Sequence, residues 1–155
     1  IENADVILLV GSDLRCEAPL VNTRIQKAIR KRGAKVFAIG PVTDLTDKVE
    51  WLGDDLSALT KAPKVLTDAL KNAERPAIVV GGGALRYAGV HGAALALAKK
   101  FKLVRDGWNG FNVLHFAAAR MGGLMLGYAH DGGIKKLAAA SPKLVPWPHW
   151  PIRTG

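Results

Sequence analysis

The sequence predicts an α/β fold: a doubly wound, mainly parallel sheet with helices on both faces. Three observations predict it. Short, wholly apolar runs alternate with longer amphipathic ones, each of these runs closes on glycine, and the opening reads strand–helix–strand. A run that is apolar at every position suits a strand covered on both faces.

Asp5-Val6-Ile7-Leu8-Leu9-Val10-Gly11 is the first such run. Ser12 and Asp13 follow as turn formers. A helix is predicted from Ala18-Pro19, because proline suits a first helical turn. Val21, Ile25 and Ile29 then recur every four residues as one apolar stripe, and Gly33 is placed as the stop. Lys35 to Gly40 is the second strand, and a strand–helix–strand unit closes right-handed with parallel strands. Leu56 to Asn72 reads as helical, interrupted at Pro63. Pro76 to Gly81 is the third buried strand, Gly82-Gly83 follows, and Arg86 to Lys100 is the next helix. Leu103-Val104 reads as a short fourth strand, and Gly107 to Gly127 as irregular. Lys135 to Ala140 reads as one short helix. Pro142, Pro146, Pro148 and Pro151 forbid regular helix, so residues 141–155 read as an extended tail beside a domain of residues 1–140.

With 155 residues, 49% hydrophobic and 23% charged, the chain is long and apolar enough for one packed core. No run approaches the roughly 18 apolar residues that would span a bilayer, so no direct membrane insertion is expected. The opening lacks a secretory signal and an initiator Met, which reads as a piece of a longer chain. Cys16 is the sole cysteine, which excludes an intrachain disulfide and an iron–sulfur cluster held by this chain alone. A reducing compartment is expected, with Cys16 a buried, inert thiol. The formal net charge is +9. Its densest cluster, Arg24, Lys27, Arg30, Lys31, Arg32 and Lys35, falls near the end of a predicted helix, where cations complement the dipole. No recognised nucleic-acid motif accompanies it, so no nucleic acid is expected as partner.

In an open parallel sheet, ligands bind beyond the carboxyl ends of the strands. Three strand ends qualify: Gly11-Ser12-Asp13-Leu14, Gly40-Pro41-Val42-Thr43 and Gly81-Gly82-Gly83-Ala84. Glycines there admit a phosphate to backbone N–H groups, yet short turns need glycine anyway, and no full G-x-G-x-x-G or Walker pattern is present. The Asp13 carboxylate counts against an anion at the first turn. His91, His115, His130 and His149 lack metal-ligand spacing, and no nucleophile elbow occurs. His115 is expected to be packed and hydrogen-bonded. No catalytic and no metal-binding residue is assigned. Trp108 to His115 reads as a core-facing loop and helix start, and as a packing surface for a neighbouring domain.

The opening, Ile1 to Asp13, resembles the strand and phosphate-contacting turn of molybdopterin-type oxidoreductases, a Rossmann-like fold. Glu17-Ala18-Pro19-Leu20-Val21-Asn22-Thr23-Arg24-Ile25 resembles the version in the large iron–sulfur subunit of respiratory complex I, NADH:quinone oxidoreductase. Trp108-Asn109-Gly110-Phe111-Asn112-Val113-Leu114-His115, then Ala117-Ala118-Ala119-Arg120-Met121-Gly122-Gly123, is the most specific match. The resemblance runs from about Ile1 to Gly133. It implies a parent that carries iron–sulfur clusters elsewhere, passes electrons from NADH toward quinone and couples that transfer to ion translocation. This segment would be its C-terminal molybdopterin-like part, which in that family of subunits holds, as a rule, no molybdenum. Cofactor-binding relatives typically place Asn where this chain has Asp13, and Asp-Pro-Arg where it has Gly40-Pro41-Val42.

The expectation is therefore a structural, cofactor-free domain with degenerate strand-end loops at Gly11, Ser12, Asp13, Gly40, Gly81, Gly82 and Gly83. Its expected partners are the other domains of its own subunit and other peripheral-arm subunits, on the cytoplasmic or matrix side of the membrane. Two alternatives stand beside it: a half-site domain of a working molybdopterin oxidoreductase, and a stand-alone nucleotide-binding module using Gly81-Gly82-Gly83.

Overall fold

The computed structural model describes residues 1–117 and 119–127. Ile1–Phe116 form one compact unit. The short helix expected at Lys135–Ala140 and the tail 141–155 lie outside the described residues.

Within that unit the strands are β1 (Val6–Val10), β2 (Lys35–Ile39), β3 (Glu50–Gly53), β4 (Pro76–Val80), β5 (Val104–Arg105), β6 (Trp108–Asn109) and β7 (Phe111–Val113). The helices are α1 (Leu14–Glu17), α2 (Pro19–Arg32), α3 (Lys64–Asn72) and α4 (Val90–Lys100). Five strands form one sheet in the order β3-β2-β1-β4-β7, and every neighbouring pair is parallel. The order reverses at β1, which makes the sheet doubly wound. β1 and β4 are buried along their whole lengths.

Alternate residues feed two cores, as the two-residue period of a strand requires. Val6, Leu8, Val10, Phe37, Ile39, Ile78 and Val80 face Leu66 and Leu70 of α3 and Ala94 and Leu97 of α4. Ile7, Leu9, Val36, Ala38, Ala77 and Val79 face Leu14 of α1 and Ile25 and Ala28 of α2. The α2 stripe thus centres on Ile25 and Ala28, with Val21 and Ile29 partly buried at its flanks. Pro19 starts α2 and Gly33, at φ +68°, ends it. Arg30, Lys31 and Arg32 crowd its last turn. Arg24 and Lys27 meet the Glu2 carboxylate at 3.0 and 3.2 Å, and Arg24 chiefly holds that carboxyl below its usual range.

Four details differ from the sequence expectation. The strand β3 was hidden because Glu50-Trp51-Leu52-Gly53 is a half-buried edge with no apolar run. Leu103-Val104 does not join the main sheet: Leu103 is fully buried outside any strand, and Val104 pairs with Asn109 in a two-stranded antiparallel hairpin turned at Gly107. The segment from Trp108 is no helix start but strand, and Phe111–Val113 closes the sheet beside β4. The helix expected from Arg86 begins only at Val90, because Ala84–Arg86 form a 3-10 turn and Gly89 adopts φ +83°. Pro63 does interrupt the 56–72 stretch, between a 3-10 turn at Leu56–Leu59 and α3.

The described residues after Phe116 hold one short helix, α5 (Arg120–Met125). No described helix is long and apolar enough to cross a membrane.

Candidate functional site: the crevice at the carboxyl ends of the strands

All five strands of the sheet point the same way, so their following loops gather at one edge. Gly11, Ser12 and Asp13 leave β1, Gly40 leaves β2, and Gly81, Gly82 and Gly83 leave β4. The predicted site residues are therefore brought together, around the reversal between β1 and β4. A cavity of about 400 Å³ opens there, lined by Gly11, Pro41, Asp54, Asp55, Gly83 and Tyr87. A larger hollow of about 1040 Å³ lies at the opposite edge, by Asp5, Lys35, Phe37 and Asp68. It gathers no convergent strand-end loops, so the crevice is the better candidate.

The glycines serve close backbone packing in the crevice. A Cβ on Gly81 would overlap the Gly11 carbonyl oxygen and stand 2.6 Å from Ser12 Cα. One on Gly82 would stand 2.7 Å from the Phe116 ring, which lies across that turn. The Arg86 guanidinium stacks over the same ring, 5.2 Å from its centre. The loops that follow β1 and β4 thus touch each other directly, and an aromatic ring covers the second glycine of the triplet.

The donors of this turn have an internal partner. Glu17 Oε2 accepts from the Gly82 N–H at 3.0 Å in a partly buried setting. Its Oε1 faces the Asp13 N–H at 3.4 Å. The four-residue spacing turns Glu17 back to Asp13 at the start of α1, and the pairing of β4 with β1 brings Gly82 within its reach.

The charge at this edge opposes that of the chain as a whole. Asp13, Glu17, Asp44, Asp54 and Asp55 stand on the loops leaving β1, β2 and β3, against Arg15 and Arg86. Arg15 is paired with Asp44 at 2.6 Å. Asp55 accepts from the Ser57 N–H and hydroxyl at 2.9 and 2.6 Å, which holds its carboxyl below the usual range. The edge is net acidic although the chain carries +9.

Two sequence expectations need correction. Cys16 is exposed, because Leu14 takes the inward position of the one-turn helix. The neighbouring Asp13 carboxylate raises its pKa above the ordinary thiol value. His115 is half-buried, but its Nδ1 has no hydrogen-bond partner among the described residues. Asp13 stands at the N-cap of α1 without a side-chain capping bond. Trp108 packs on the sheet, its indole N–H donating to the Pro76 carbonyl at 2.9 Å. Ser12 is buried, and its Oγ has no partner among the described residues.

Sequence reasoning passed over Glu17, Asp54, Asp55, Arg86 and Phe116 as members of this edge. A signal existed for Glu17, whose four-residue spacing from Asp13 returns it to the start of a helix. None existed for Phe116, which reaches Gly82 only through the pairing of β7 with β4. Among the described residues no group of three or more His, Cys, Asp or Glu is arranged to hold a metal ion.

Comparison with known proteins agrees with this architecture. The chain is 40% identical over 133 residues to the mitochondrial NADH dehydrogenase [ubiquinone] iron-sulfur protein 1 of Solanum tuberosum, 82% of this chain and 18% of that one. It is 35% identical over 135 residues to the NADH-ubiquinone oxidoreductase 75 kDa subunit of Reclinomonas americana, 82% of this chain and 19% of that one. Against an NADH-quinone oxidoreductase subunit of Rickettsia typhi the figures are 37% over 136 residues, 83% and 20%. The chain thus spans about a fifth of the length of these relatives. Residues 1–147 match the family described as molybdopterin oxidoreductase. With that match covering the β1–β4 reversal and both flanking cores, the chain belongs to the molybdopterin oxidoreductase family.

Proposed function

We propose that this chain is a structural, cofactor-free domain of the large iron–sulfur subunit of an NADH:quinone oxidoreductase. The parent enzyme passes electrons from NADH to quinone and couples this to ion translocation. The observation that carries the assignment is the 35–40% identity, along four fifths of this chain, to subunits of enzymes so named. Iron–sulfur clusters belong to other parts of the subunit, since a single cysteine cannot ligate one. The domain's partners are the neighbouring domains of its subunit and other subunits of the peripheral arm, on the cytoplasmic or matrix side of the membrane. No substrate is turned over by the domain itself.

The crevice residues do not fit a pterin dinucleotide. Such a ligand brings a diphosphate to the glycine turn, and here that turn meets Glu17 and the Phe116 ring instead. Asp13, Asp54 and Asp55 would repel it further. The cations at the edge, Arg15 and Arg86, are paired with Asp44 and stacked on Phe116. One observation favours the competing reading, a half-site of a working molybdopterin enzyme: Ser12 Oγ is a buried hydroxyl without a partner among the described residues. Metal analysis separates the two. Purified native complex should contain iron and no stoichiometric molybdenum, and truncation of this domain should lower assembly of the peripheral arm on native gels. One molybdenum per large subunit would overturn the proposal.

A further inference from the structure

We infer that the Glu17 carboxylate occupies the anion position of the crevice, and so sets what the crevice rejects. This rests on the cofactor-free reading above and names the residue that enforces it. Two backbone N–H groups from loops on either side of the strand reversal converge on one side chain: Gly82 at 3.0 Å and, more loosely, Asp13 at 3.4 Å. These are the donors that a strand-end glycine turn presents to a phosphate oxygen. A carboxylate carries the same charge sign and accepts the same bonds, and charge-assisted bonds of this kind are the stronger sort.

The local chain holds Glu17 in place. Ala18 leaves the helical conformation, at φ −151° and ψ 69°, and Pro19 opens α2, so α1 ends at Glu17 with its side chain turned back along the one-turn helix. Above Gly82 the Phe116 ring closes the other approach, and the Arg86 guanidinium lies over that ring. A second anion would have to displace a covalently tethered one and stand beside Asp13 as well. Tethering favours the internal group, because its local concentration exceeds that of any free ligand.

The test uses the full chain as wild type, Glu17→Ala and Glu17→Gln, with inorganic pyrophosphate at constant ionic strength as the probe. Exchange and chemical shift of the Gly82 amide are followed by NMR. In Glu17→Ala, Gly82 exchange should rise about tenfold, the scale of one hydrogen bond to a charged group. Pyrophosphate should then move the Gly82 resonance in this variant and leave it unmoved in wild type. Glu17→Gln, which keeps shape and an acceptor oxygen, should shift the Gly82 amide proton upfield while leaving it protected. An unchanged Gly82 resonance in Glu17→Gln, or a Glu17→Ala turn that ignores pyrophosphate, overturns the role of Glu17 while leaving the cofactor-free reading in place. Pyrophosphate moving Gly82 in wild type also overturns it, since the turn then admits an anion with Glu17 in place, whereas the cofactor-free reading falls only to molybdenum in the native complex.

Discussion

The body of the sheet and the loops at its carboxyl edge lie within a few residues of each other in sequence, yet they obey different constraints. β1 and β4 are buried at every position and carry no charge. The loops that leave them bear Asp13, Glu17 and Arg86, a Ser12 hydroxyl without a partner among the described residues, and glycines in backbone contact. The strands are held by the burial of apolar surface, which depends on residue type and hardly on partner. The loops are held by particular pairs, so one changed residue alters what they bind. A scaffold of this kind can persist while the chemistry of its loops differs.

The contrast can be broken most forcefully from the interior. Leu8 is fully buried between β2 and β4, so Leu8→Ala should cost about 4 kcal/mol of unfolding free energy in a urea titration. A cost below about 1 kcal/mol would mean that the β1 interior is not the main support. Gly81→Ala tests the loops through packing alone. Its Cβ would overlap the Gly11 carbonyl, and the same titration should show a loss of about 3 kcal/mol. If Gly81→Ala folds at wild-type stability, the glycine was kept for something other than loop contact. The smallest effect belongs to Asp55, an exposed acid at the cavity mouth. Its carboxyl is held low by the Ser57 bonds, so its contribution is full above the usual Asp range and is lost as pH falls through the lowered value. Asp55→Ala should therefore lower the urea midpoint slightly at neutral pH, and the two midpoints should converge in acid. Midpoints that stay apart in acid would show that Asp55 acts by something other than its charge.

Legibility followed the same divide. Val6–Val10, Pro76–Val80 and, after the exposed Lys35, residues 36–39 were readable as strands because a wholly apolar run records burial on both faces. Glu50–Gly53 and Phe111–Val113 were not, since they are short, half-buried edge strands whose pairing depends on β2 and β4 already being in place. Of the edge residues, the glycines and Asp13 were readable as turn formers. Cys16 was misplaced because a lone cysteine in a predicted turn gives no direction to its side chain, and the one-turn helix α1 left no periodicity to read.

Sequence alone determined the alternation of buried strands with amphipathic helices, the positions of Pro19 and Gly33 at the ends of α2, and the absence of a cysteine set for a cluster. These are properties of single residues or of short runs, and they hold before any long-range contact forms. Tertiary structure decided that Glu17 meets Gly82 across 65 residues, that Phe116 lies on the glycine turn, and that the carboxyl edge of a basic chain is acidic. The physical reason is that these depend on β4 docking beside β1 and β7 beside β4, and a parallel sheet brings such loops together only after its crossovers have closed.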